Sequence, residues 1–499
     1  MKRLVIILAV LCAALGAVAQ KIDRPRLVVG IVVDQMRWDY LYYYYEDYGN
    51  QGIKRLLAEG YSCENTMITH VPTVTAIGHA SIFTGSVPFF HGIAGNGFFI
   101  NGKAVSSCTD ESEDGVGTDS RAGHRSPRNM LSTTIGDELK QAFDFKNKVC
   151  GVAIKDRAAI LPAGHSADAA YWWDSEVGHF ITSTYYMDRL PNWVEKFNRK
   201  YYTEPKHDLN TSNEGVTFTF RMAEAILENE KLGQGEFPDM LTVSVSSTDA
   251  IGHTYGTRGK ENYEVYMQLD KELAHFFEVL DKRIGRGNYL LFLTADHGGA
   301  HNPNFMKEHG QPAGGWDSKT GRNNMNNAIL EKCGVPNAIK AIYDYRIYLD
   351  NDKIDSVGAN KDEVKKVAVE TLKKERNIAF AVDYENVQQA SIPSFLKERI
   401  INGYNPGRSG DIFFMTNAGY LSFFVKDDYK GTSHSAWNPY DSHIPLVFMG
   451  WHVPHGETTA PTRMVDIAPT VCAMLHIQMP NACIGDAITF DEPEPRTKH

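Results

Sequence analysis

The chain has 499 residues, 42% of them hydrophobic and 22% charged, with a formal net charge of −10. That is globular composition with length enough for a large core. The acidic balance, with no basic run beyond a pair or triplet, argues against a dedicated phosphate-neutralising nucleic-acid surface.

Residues 1–19 read as a signal peptide outside the fold. Lys2 and Arg3 precede an apolar run over 4–15, and Ala17-Val18-Ala19 supplies a small-residue cleavage site. The run is too short for a good membrane span. A soluble, exported protein without stable membrane insertion is expected, secreted or periplasmic in a Gram-negative bacterium. Beyond Cys12 lie six cysteines. Export permits disulfides, and Cys472 with Cys483 is the pair closed by the shortest loop.

Taken in order, 27–33 is a continuous β-branched run that suits a central parallel strand and ends at Asp34. A short helix is expected over 51–57. Residues 71–96 follow, with Pro72-Thr73-Val74-Thr75-Ala76-Ile77-Gly78-His79 leading into a helix over 76–83. Thr75 falls at its N-terminus, where unpaired N–H groups favour negative charge. Gly92, Gly95, Asn96 and Gly97 make a loop able to bring backbone and an Asn amide close to a ligand.

Segment 149–154 is a second strand. Were it to stay extended through Lys155-Asp156-Arg157, the two cations would point one way and Asp156 the other. Residues 170–208, rich in Tyr, Trp and Asn, form an excursion without a clear pattern. A helix over 216–230, a strand over 240–246, an amphipathic helix over 262–280 and a strand over 289–293 complete a strand–helix alternation. The pattern predicts an α/β fold with a doubly wound, mostly parallel sheet sandwiched by helices. Asp249, His253, Asp296 and His297 follow the later strands.

From 304 to 408 the character changes. A strand at 342–349, a helix at 361–374, a strand at 378–382 and a helix at 394–401 suggest an inserted α/β cap. The core would then comprise 25–303 and 409–490. It resumes with strands at 411–416 and 444–449, and a helix at 465–475 closes it. Residues 491–499 read as a tail.

The polar residues delivered near strand ends are Asp34, Thr75, Asp249, His253, Asp296, His297 and His434. Singly, each has an ordinary role open to it. An Asp after a strand commonly caps a helix, and a lone His commonly hydrogen-bonds in a core. Together they form a cysteine-free O/N set suited to zinc, too many for one tetrahedral ion and about enough for two. Asp249 and His253, four apart, can share a helix face.

The set resembles the alkaline phosphatase superfamily, and more narrowly the phosphate-irrepressible, PafA-like bacterial alkaline phosphatases. Nucleotide pyrophosphatase/phosphodiesterases are more distant. The resemblance is carried by Val32-Val33-Asp34, Pro72-Thr73-Val74-Thr75 with Gly78-His79, Thr84-Gly85, His91-Gly92-Ile93, Gly95-Asn96, Lys155-Asp156-Arg157, Asp249 with His253, Thr294-Ala295-Asp296-His297-Gly298, and His434 before His443-Ile444-Pro445-Leu446. It implies two zinc ions per chain, one on Asp249, His253 and His434, the other on Asp34, Thr75, Asp296 and His297. It also implies Thr75 as nucleophile, with Thr73 structural.

Small-molecule phosphate monoesters would be hydrolysed through a phosphothreonine, with Asn96, Lys155 and Arg157 donating to the phosphoryl oxygens. In the resemblance the Lys-x-Arg pair marks the monoesterase branch; by itself it could equally be a surface salt-bridge pair. Phosphodiester or pyrophosphate hydrolysis on the same fold is the alternative. An arylsulfatase would need Cys or Ser in a Cys/Ser-x-Pro-x-Arg context, absent around Thr75. Ile77 stands where many relatives have proline, and Gly97-Phe98 replaces a more polar-aromatic pair. A monomer is expected.

Overall fold

The computed structural model describes residues 22–490. The expected signal peptide and tail therefore lie outside the described residues.

A ten-stranded sheet organises the chain. At its centre is Leu27–Val33, every residue of which is buried. It pairs in parallel with Asp239–Val245 on one side and Tyr289–Thr294 on the other. Val149–Ala153 extends the parallel block beyond Asp239–Val245. A strand covered on both faces needs apolar residues at successive positions, which is why these read as unbroken runs. The chain leaves the centre in opposite directions, so the carboxyl ends of these four strands open onto one crevice.

The edges are mixed. Leu446–Gly450 joins Tyr289–Thr294 antiparallel, and His179–Ser183 joins Ala169–Asp174 antiparallel. The unplaced aromatic stretch thus supplies two sheet strands, with Trp172 and Tyr171 fully buried. Helices form two groups against the sheet. Asn213–Asn229 packs with Lys260–Arg283, and Thr75–Thr84 packs with Asp156–Ala163, Ile135–Ala142 and Ile467–Leu475. Ile135–Ala142 starts at a capping box formed by Thr134 and Asp137.

The inserted lobe has its own four-stranded antiparallel sheet and hydrophobic core. Four expectations differ from the structure. The strand expected over 342–349 is a hairpin, Ile339–Tyr343 and Arg346–Leu349, because Asp344 and Tyr345 turn the chain at φ 44° and 65°. Ile412–Thr416, expected back in the core, pairs with Arg346–Leu349 and Ile378–Asp383. An apolar five-residue run satisfies either sheet; only its partners assign it. The lobe therefore runs past residue 408. The strand expected over 444–449 also divides. His443–Ile444 pairs with Thr66–Met67, and Leu446–Gly450 enters the large sheet. Cys472 and Cys483, the expected disulfide, are both free thiols, as are the other four described cysteines.

Candidate active site

The crevice gathers two clusters of side chains. In the first, Asp249 and His253 lie one turn apart on the helix Ser247–Tyr255. His253 Nε2 is 3.1 Å and His434 Nε2 is 3.7 Å from Asp249 Oδ1. In the second, His297 Nε2 is 3.5 Å from both Asp34 Oδ1 and Asp296 Oδ2. Each cluster brings its three ligand atoms within 4.8 Å of one another. These separations bracket the roughly 3.3 Å edge of a tetrahedron with ~2.0 Å metal–ligand bonds.

All three imidazoles are oriented alike. Nδ1 of His253, His297 and His434 meets the carbonyl of Thr432, Gly298 and Thr73 respectively. With Nδ1 committed to a carbonyl, a neutral ring turns an Nε2 lone pair inward, which is how ligating histidines are held. Asp34 Oδ1, Asp296 Oδ2 and His297 Nε2 are buried without hydrogen-bond partners. Three orphaned polar atoms facing one point are costly unless a cation satisfies them.

The electrostatics agree. Burial, reinforced by the charges of Asp249 and Asp296, pushes the Asp34 carboxyl well above its ordinary range. Burial acts the same way on Asp249, but Lys155 and His253 outweigh it and hold it well below. The His434 imidazole is pushed well down by burial and by neighbouring His297. Three buried carboxylates thus face one ammonium, that of Lys155. Its Nζ bridges Asp34 Oδ2 at 2.6 Å and Asp249 Oδ2 at 2.5 Å.

Thr75 is the first residue of the buried helix Thr75–Thr84. This helix lies directly on the second cluster: a Cβ on Gly78 would sit 2.3 Å from the Asp296 carbonyl. His79 Nε2 meets Ser244 Oγ at 2.7 Å, fixing the helix to the central sheet. Asn96 Oδ1 accepts from the Ala76 N–H at 2.9 Å, satisfying one unpaired donor of the helix end. Thr73 donates its hydroxyl to the Ala436 carbonyl, so it is a bracing residue.

The extended course through 155–157, on which a shared direction for Lys155 and Arg157 depended, is not taken. The helix Asp156–Ala163 begins at once, with Lys155 as its N-cap. Asp156 turns away to pair with Arg125 at 2.5 Å. Arg157 Nε is buried and unpartnered.

Sequence reasoning missed Gln35. It stands at φ 62° after Asp34, its N–H donating to Asp296 Oδ1 and its Nε2 to Asp249 Oδ1 at 2.6 Å. One residue therefore steadies a carboxylate of each cluster. Gly252 makes room for it, since a Cβ there would lie 2.1 Å from Gln35 Oε1. A Gln after an Asp carries no signal in the sequence; only the fold reveals it. A third acidic group, Asp362, Asp383 and Glu385, encloses Lys365 Nζ in the inserted lobe and already holds its cation.

Residues 28–441 match the type I phosphodiesterase/nucleotide pyrophosphatase family. The chain is 44% identical to alkaline phosphatase PafA of Elizabethkingia meningoseptica, covering 94% of each chain. The chain belongs to the PafA-like alkaline phosphatases. It is likewise 44% identical to alkaline phosphatase PhoV of Synechococcus elongatus, over 94% of this chain and 93% of that one. The crystal structure of wild-type PafA superposes with a TM-score of 0.90 at 43% identity, covering 94% of this chain and 99% of that one. As in this family, the fold is a mixed α/β sandwich about a large, mostly parallel sheet.

Proposed function

We propose that this PafA-like phosphatase is an exported, two-zinc enzyme that hydrolyses phosphate monoesters through a phosphothreonine on Thr75. One observation carries the reading. Three histidines, each tied through Nδ1 to a backbone carbonyl, turn Nε2 onto buried carboxylates in two adjacent clusters. The cysteine-free O/N donors and the orphaned atoms of the second cluster fit zinc. Asp249, His253 and His434 would hold one ion. Asp34, Asp296, His297 and Thr75 would hold the other. Bound there, zinc supplies Lewis acidity, easing ionisation of the Thr75 hydroxyl and release of the leaving oxygen.

Thr75 Oγ attacks phosphorus in line, the bond to the leaving alcohol breaks, and the alcohol departs with a proton. Water then cleaves the phosphothreonine, returning the threonine and releasing orthophosphate. The helix N-terminus behind Thr75 favours the developing negative charge by about 1 kcal/mol. Lys155, Arg157 and the Asn96 amide donate to the outer phosphoryl oxygens, where a monoester carries more charge than a diester.

The deciding experiment compares an aryl monoester with its methyl diester. Faster turnover of the monoester is expected. Lys155→Ala and Arg157→Ala should each cost it about 10²-fold while affecting the diester much less. Strong preference for the diester would favour the phosphodiesterase reading, and equal losses on both esters would make these cations structural. Export is proposed from the leader-like residues 1–19; N-terminal sequencing of the mature protein should start near Gln20.

A further inference from the structure

The glycine-rich loop 92–97 has little regular structure of its own, so its carbonyls need partners from elsewhere. Two arginines of the inserted lobe supply several of them. Arg346, the first residue after the Asp344–Tyr345 turn, is completely buried. It donates through Nη1 to the Ala94 carbonyl and through Nη2, at 3.4 Å, to that of Gly97. Arg408 donates through Nη1 to the Gly92 carbonyl at 2.6 Å and to the Asn129 carbonyl at 2.5 Å. The carbonyls of Gly92, Ala94 and Gly97, on both sides of Asn96, are thus held from across the seam between the two lobes.

The loop's glycines are shaped for this grip. A Cβ on Gly95 would lie 2.3 Å from Arg346 Nη2, and one on Gly92 would meet both the Leu131 side chain, at 2.7 Å, and Arg408 Nη1, at 2.8 Å. Gly92 also sits at φ +75°, which a side chain rarely adopts. These glycines therefore admit guanidinium groups to the backbone. Packing alone would be served at lower cost by an apolar side chain. Arg346 has only the half-exposed Asp344 as ion partner, at 3.3 Å, and Arg408 has none among the described residues.

We propose that Arg346 and Arg408 are positioning residues, through which the inserted lobe fixes the loop that presents Asn96 to the phosphoryl group. The inference rests on the reading of Asn96 as a phosphate donor. It gives the lobe a role: its hairpin turn aims Arg346 at the loop, and the loop aims Asn96, whose Oδ1 is pinned by the Ala76 N–H. Releasing the carbonyls leaves every metal-cluster residue in place and loosens one donor. A displacement near 1 Å at such a donor costs up to about 10²-fold.

The test is a double-mutant cycle on the zinc-loaded full chain. It combines Arg346→Met and Arg408→Met with Asn96→Ala and reads kcat/KM on an aryl monoester, inhibition by orthophosphate, and zinc content. Each Met variant should lower kcat/KM about tenfold or more and weaken orthophosphate inhibition, with zinc content unchanged. In the Asn96→Ala background the same change should cost less than about threefold. Arg408→Lys, which keeps a charged donor, should recover part of the loss. Should Arg346→Met fail to fold, the half-buried Arg408 decides alone. Undiminished losses in the Asn96→Ala background, or no loss in either, would overturn the inference and leave the phosphatase reading intact. An inert Asn96→Ala would reject the donor role of Asn96, and this inference with it.

Discussion

Both clusters combine aspartate and histidine, one carboxylate with two imidazoles against two carboxylates with one imidazole, and they differ in their access to solvent. Asp34, Asp296 and His297 are sealed, with no exposed side-chain surface. In the other cluster the His253 side chain is 39% exposed. The residues of the sealed cluster closely follow two adjacent central strands, Leu27–Val33 and Tyr289–Thr294, and its orphaned atoms have no exposed surface. The rim cluster draws on a helix and on the Gly431-Thr432-Ser433-His434 loop, while Lys155 and Gln35 engage a carboxylate of each cluster and tie the two together. A sealed site beside Thr75 suits a nucleophile that must stay dry. An open one suits a departing alcohol and incoming water.

Losing the proposed nucleophile should have the largest effect and should leave both clusters standing. Thr75→Ala is expected to lower monoester turnover by about 10³-fold or more, with zinc content retained by elemental analysis. Retained turnover would detach Thr75 from the chemistry.

The sharper contrast lies between clusters. Asp296→Asn should abolish binding of one metal equivalent and drop activity by about 10²-fold even in excess zinc. His253→Ala, at the open rim, should fall less and regain activity as zinc is raised. Equal, unrescued losses would erase the distinction. Chelation should lower the melting temperature by about 5 °C, with zinc restoring it, because sealed carboxylates are left unpaired. The smallest of these effects belongs to Gln35→Ala. It should weaken zinc binding at both clusters by roughly tenfold in competition with a chelator; weakening at one alone would remove its bridging role.

The parallel strands were legible because each is an apolar run ending in a polar residue, and Asp34, Asp249 and Asp296 were legible with them. His434 was picked out with them as a polar residue ahead of the last core strand, but its pairing with Asp249 and His253 came only from the family resemblance. The directions of Lys155 and Arg157 turned on where a helix begins: it starts at Asp156, so period-two alternation does not carry through 155–157. Ile412–Thr416 was misassigned because an apolar strand does not name its partners. Gln35, Arg346 and Arg408 act through contacts hundreds of residues distant in sequence, such as the 252-residue span from Ala94 to Arg346, and no local pattern encodes them.

Catalytic zinc in both clusters is what the proposed function depends on. Its most direct test is zinc titration of chelated protein, following bound metal and monoester turnover together. Two equivalents should bind per chain, with turnover absent from the metal-free protein and complete only when both sites are filled. Full turnover by folded protein shown by elemental analysis to be free of divalent metal would contradict it.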